Sequence, residues 1–99
     1  MTLHISLKVR AKLAQADHNV TEEEIVQCFA NRYRGFCSDS RPIHKAPLPT
    51  QWFVAETDYG RRLKIVFMHD IPSNRMDIKS AYSATAEVTR IYEKYSISY

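Results

Sequence analysis

Glycine is nearly absent: the 99 residues hold two, Gly35 and Gly60. A glycine-rich loop that cradles phosphate is therefore excluded. Cysteine is scarce as well. Cys28 and Cys37 have eight residues between them, which fits neither a C-x-x-C site nor a disulfide framework. Reduced thiols in the cytoplasm are the simplest expectation. The four histidines, His4, His18, His44 and His69, show no metal-ligand spacing, so neither a metal nor another cofactor is expected. There is no G-x-S-x-G elbow. No apolar run approaches the ~18 residues of a membrane span. No basic segment followed by an apolar one opens the chain, so no signal peptide is expected.

What is present suffices for one domain covering residues 1–99. Hydrophobic residues make up 44% and aromatic residues 11%, which excludes disorder. A chain of this size buries roughly 60–65% of its unfolded surface and can fold alone. The net charge of +3 is unevenly placed. Residues 18–31 carry only Glu22, Glu23 and Glu24, whereas residues 32–64 carry seven bases against Asp39, Glu56 and Asp58. The basic middle reads either as a polyanion-binding surface or as a solvated face.

Local signals set the order of elements. Ser6 can cap a first helix with Val9, Leu13 and Ala16 on its apolar side, ending at Asp17-His18-Asn19. Thr21-Glu22-Glu23-Glu24 is a capping box, with Val20 and Ile25 at the positions of a hydrophobic staple. The glutamates sit where the helix dipole favours negative charge, which accounts for them structurally. That second helix buries Ile25, Cys28 and Phe29. Strands are expected over Tyr33–Asp39, Gln51–Thr57, Leu63–His69 and Met76–Tyr82. Pro42, Pro47 and Pro49 make residues 41–50 a loop, which carries Arg41, His44 and Lys45. Asp58-Tyr59-Gly60 and Pro72-Ser73-Asn74 are turns. Ser83 or Thr85 caps a last helix with a stripe of Val88, Ile91, Tyr92 and Tyr95. The expected fold is α+β: two N-terminal helices, a four-stranded antiparallel meander and a C-terminal helix, with all helices on one face.

Strand alternation sorts the charges. Leu63, Ile65 and Phe67 face the helices, which puts Arg62 and Lys64 on the open face. Met76, Ile78 and Ser80 share one side of the last strand, so Lys79 joins Arg62 and Lys64. Three cations on one sheet face can bind phosphates and stabilise phosphoryl-transfer charge, or can be the solvated side of an ordinary sheet. His69, beside Asp70, is the histidine best placed for acid–base work, and His44 is second. Tyr82 can present its hydroxyl to the open face, and Trp52 can stack a base.

Taken in order, these residues resemble the BrnT-type toxins. His18-Asn19-Val20-Thr21-x-Glu23-Glu24 is similar to that family's K-H-G-V-[ST]-x-E-E junction. Trp52–Ala55, Gly60–Phe67 and Ile78–Ala81 are similar to its sheet, and Ile91–Tyr95 to the end of its final helix. The likeness spans about residues 8–95 and rests on order and spacing rather than on one motif. Tyr82 stands where the family's "S-A-R" segment has arginine, and the Pro-rich loop is unusual for its short members.

The resemblance implies a RelE-like fold and a bacterial type II toxin acting as an endoribonuclease without metal. In such chemistry the 2′-hydroxyl attacks the adjacent phosphate while cations stabilise the transition state. It implies Arg62, Lys64, His69, Lys79 and Tyr82 as catalytic candidates and Arg41, His44, Lys45, Trp52 and Arg61 as RNA contacts. The implied partners are RNA and a cognate antitoxin in a hetero-oligomer, with no membrane. The alternatives are a non-catalytic module that binds protein or nucleic acid, and an ADP-ribosyl-hydrolase-like protein, which would need an acidic metal cluster that the sequence lacks.

Overall fold

The computed structural model describes residues 2–38 and 50–96. Among them the order is β1 (Thr2–His4), α1 (Leu7–Leu13), α2 (Glu22–Ala30), β2 (Cys37–Ser38), β3 (Thr50–Glu56), β4 (Arg62–Asp70), β5 (Arg75–Ser83) and α3 (Ala86–Tyr95). The strands form one mixed sheet in the order β1-β5-β4-β3-β2. β1 runs parallel to β5, and the other pairings are antiparallel. The expected four-stranded antiparallel meander is thus incorrect. Thr2–His4 is a fifth strand, paired with Arg75–Asp77 some seventy residues away, beyond the reach of local pattern. The first expected strand, Tyr33–Asp39, contracts to Cys37–Ser38, with Asp39 outside the described residues.

The helix starts follow from side chains that satisfy orphan amides. Ser6 accepts from the Val9 amide and Thr85 from the Val88 amide. Thr21 accepts from the Glu24 amide while the Glu24 carboxylate takes the Thr21 amide, which completes the capping box. α1 ends earlier than its apolar spacing suggests, at Leu13, so Ala16 is exposed. Asn19, at φ +48°, turns the chain into α2.

Helices cover both faces of the sheet, not one. Leu63, Ile65 and Phe67 on β4 and Phe53 and Ala55 on β3 are fully buried on the first face. Phe29 of α2 packs there, with ring centroids 4.8 Å from Phe53 and 5.4 Å from Phe67. α1 lies beside β5 and is tied to α2 by the Arg10–Glu22 ion pair at 2.8 Å. α3 packs on the second face, where Tyr92 stands 5.8 Å from Trp52 and donates its hydroxyl to the Gly35 carbonyl. Its buried residues are Thr89 and Tyr92, with Val88 partly covered. Ile91 and Tyr95, expected in the apolar stripe, are exposed. The helix is turned by one residue because Thr89, bonded to the Thr85 carbonyl, is accommodated inside.

A β-bulge on β5 corrects a second expectation. Ile78 pairs with Phe67 and Ser80 with Val66, so Lys79 has no opposite residue. The extra residue reverses the alternation: Met76, Ile78 and Ala81 are buried, while Ser80 joins the α3 face.

Arg61 fastens the helical joint to the sheet. Its guanidinium donates to the carbonyls of His18 (2.9 Å) and Asn19 (2.7 Å) and to the Glu24 carboxylate (3.1 Å). Charge-assisted bonds of this kind contribute about 1.5–3 kcal/mol. Arg61→Ala is expected to destabilise the fold by about 2–3 kcal/mol in urea titration. Lys cannot span three acceptors, so Arg61→Lys restores only part of the loss. At Glu24, burial acts most strongly and pushes the carboxyl upward. The Thr21 amide and Arg61 together outweigh it, leaving the carboxyl below its ordinary 4.5. A carboxyl depressed on folding adds stability above its unfolded value and loses it as pH falls through the folded one. The advantage of wild type over Glu24→Gln should therefore be full at pH 7 and shrink below about pH 4.5, as read from melting curves across that range.

Candidate functional site

The second face of the sheet is only half covered by α3. On the remaining half Trp52, Lys64, Val66, Met68, Ser80 and Tyr82 are all partly exposed. Register puts Val54, Lys64 and Tyr82 on one rung across β3, β4 and β5, with Trp52, Val66 and Ser80 on the next.

Lys64 is the positioned cation of this face. Its ammonium lies 4.5 Å from the Trp52 ring centroid and 5.7 Å from that of Tyr82. Cation–π contacts at such partly exposed sites contribute about 0.5–1 kcal/mol each. They hold the long side chain flat between two aromatics instead of leaving it to sweep through solvent. Among the described residues no hydrogen bond engages the ammonium, whose donors can meet an anion arriving from outside. Trp52 is engaged twice, by Lys64 and by Tyr92, so its ring is a support for the cation more than an open stacking platform.

Arg62 shares the face but has a different environment. It stands opposite Glu56 across the β3–β4 hairpin and lines a cavity of about 370 Å³ with Tyr33, Thr89 and Glu93. Two carboxylates beside it offset its charge, so it contributes less to a positive surface than Lys64.

Three expected site residues lie elsewhere. Lys79, the bulge residue, borders a cleft formed with Lys8, Lys12 and Gln15 of the α1 region instead of joining Arg62 and Lys64. His69 is five residues along β4 from Lys64, about 16 Å at ~3.3 Å per residue, and has the opposite strand parity. Its Nε2 is 3.1 Å from Asn74 Oδ1, part of the β4–β5 turn. Arg61 is engaged with the carbonyls and carboxylate described above, at the joint between the helices and the sheet. Arg41, His44 and Lys45 fall outside the described residues.

One residue absent from the expected set borders this face from the outer margin of β5. His18 Nδ1 is 3.0 Å from the Ala81 carbonyl, and its ring meets Tyr82 edge-on at 6.0 Å. Nothing in spacing separates this histidine from the others, because its neighbours come from β5, more than sixty residues away.

The thiols do not supply a nucleophile. Cys28 and Cys37 are free and buried. Burial, then the Glu24 carboxylate, pushes Cys28 up to about 12. Burial also raises Cys37, against the opposing pull of Lys64 and Arg34. Among the described residues no three His, Cys, Asp or Glu side chains gather as a metal site, and no helix is long and apolar enough to cross a membrane.

Comparison with protein-family models, with curated proteins and with solved structures finds no match to this chain. The functional reading therefore rests on the residues themselves. Chemically the site offers an ammonium and an imidazole that each border the ring of one tyrosine, Tyr82.

Both thiols are expected to resist a disulfide reagent at neutral pH in the native protein and to react fully in denaturant. Rapid labelling of either thiol in the folded state would contradict the burial that raises them.

Proposed function

We propose that the chain is an RNA-binding endoribonuclease that works on the half-covered sheet face, in the manner of a type II toxin. The observation that carries this reading is the Lys64 ammonium held over Trp52 and Tyr82 on three adjacent strands. A fixed cation on a half-covered sheet face is suited to a phosphodiester, first in binding and then as negative charge builds on the phosphoryl oxygens. Because Trp52 already supports Lys64 and touches Tyr92, contact is made chiefly with phosphate and only secondarily with bases.

Cleavage proceeds by attack of the ribose 2′-hydroxyl on the neighbouring phosphorus. It leaves a 2′,3′-cyclic phosphate and a free 5′-hydroxyl. The resemblance to BrnT-type toxins adds a cognate antitoxin, a protein that covers this face and silences it. A second reading, a non-catalytic RNA-binding module, is favoured by the departure of Lys79 and His69 from the face.

Purified protein mixed with labelled single-stranded RNA separates the two. Salt-dependent binding with cyclic-phosphate products supports the ribonuclease, whereas binding without products supports the module. Lys64→Ala should weaken RNA binding and reduce the slope of log affinity against log salt by about 0.7, one phosphate's worth for a single strand. Its melting temperature should stay close to wild type. RNA affinity that does not respond to salt, or is unchanged in Lys64→Ala, counts against the face. Expressed in cells without its partner, the wild-type protein is expected to arrest growth, and co-expression of the antitoxin to relieve the arrest.

A further inference from the structure

Beyond Asp77, β1 no longer pairs with β5, and side chains take over the outer margin of that strand. Lys12 donates its ammonium to the Lys79 carbonyl at 2.7 Å. His18 takes the next outward carbonyl, that of Ala81, at 3.0 Å. A carbonyl can only accept, so Nδ1 carries the proton and the ring has a defined tautomer. Nε2 is then the nitrogen with an available lone pair. It lies on the side of the exposed Asp17 carboxylate, 3.9 Å from Oδ2.

The position of the ring is fixed from three directions. Its own backbone carbonyl receives the guanidinium of Arg61, at the entry to β4. Its Nδ1 is anchored on β5. Its edge rests against Tyr82, whose own ring lies 5.7 Å from the Lys64 ammonium. With 16% of its side chain exposed, the ring is packed yet still meets solvent. Among the described residues the charged and titratable groups around it are Asp17 on its own loop, Arg61 at the entry to β4, Tyr82 from β5 and, beyond Tyr82, Lys64.

We infer that His18 is the proton carrier of this site, taking the 2′-hydroxyl proton on Nε2 while Lys64 holds the phosphate. The inference rests on the ribonuclease reading above. The 2′-oxygen forms a bond to phosphorus as its proton passes to Nε2. The bond from phosphorus to the 5′-oxygen breaks with its electron pair, and that oxygen takes a proton from water. The imidazolium then returns its proton to solvent. Nδ1 donates to the Ala81 carbonyl in both the neutral ring and the imidazolium, so the ring changes charge without losing its anchor. The imidazole and the ammonium both border the Tyr82 ring, at 6.0 and 5.7 Å, so one phosphodiester lying across that ring would meet the oriented base on one side and the cation on the other.

The test compares wild type, His18→Asn and His18→Ala with a mixed-sequence single-stranded RNA, measuring binding, cleavage rate from pH 5 to 9 and thermal stability. Asn can keep a donor toward Ala81 but cannot carry the proton. His18→Asn is expected to bind RNA as wild type does, to lose roughly 10²–10⁴-fold in cleavage, and to lose the acidic limb of the pH–rate profile. His18→Ala is expected to regain cleavage when imidazole is added to the buffer. Cleavage by His18→Asn within threefold of wild type, with the same pH profile, overturns the assignment of His18 alone. So does a folded, RNA-binding His18→Ala that imidazole does not rescue. Absence of cleavage by wild type overturns the ribonuclease reading, and the inference with it.

Discussion

One guanidinium fixes the relation between the helices and the sheet. Arg61 begins at the hairpin entry to β4 and reaches the carbonyls of His18 and Asn19 and the carboxylate of Glu24. Those acceptors are the turn between α1 and α2 and the N-terminal cap of α2. The cap, the turn and the strand are therefore one connected unit. Asn19 in its left-handed conformation aims its carbonyl at the same group. Because His18 is held by its main chain at this joint, its ring is carried to β5. The structural anchor and the proposed chemistry thus meet in a single residue.

The face that the joint serves is built from ordinary strand geometry plus one irregularity. Alternation on β4 alone puts Lys64 opposite the Phe67 side, where α3 leaves it uncovered. The bulge at Lys79 lets Ala81 return to the core while Tyr82 points to the same side as Lys64. Without the extra residue, either Ala81 or Ile78 would leave the core. The same event that takes Lys79 off the face thus puts Tyr82 on it.

Much of this was legible in the sequence where the cause is local. Ser6, Thr21 and Asn19 act on amides or turns within a few residues, and each behaves as its chemistry dictates. Leu63, Ile65 and Phe67, the apolar odd positions of β4, are buried as their hydropathy requires. What escaped depends on distant partners. Thr2–His4 is too short to carry a periodic signal and exists as a strand only because β5 offers an edge. Lys79 cannot be assigned a face from alternation once a bulge intervenes. Arg61 looks like a surface base until the carbonyls that surround it are in place. The rotation of α3 is hidden because Thr89, a buried polar residue, has its hydroxyl satisfied by the preceding turn.

Phe53, Val54 and Ala55 on β3 are all fully buried, although successive strand residues point to opposite faces. At this point two separate packing layers, one under α2 and one under α3, share a single stretch of backbone. Val54 belongs to the α3 layer, and its partner across the ladder is Lys64. The height at which the ammonium stands above the sheet is therefore tied to how closely α3 seats on β3. A change in that helix could retune the cation without touching it.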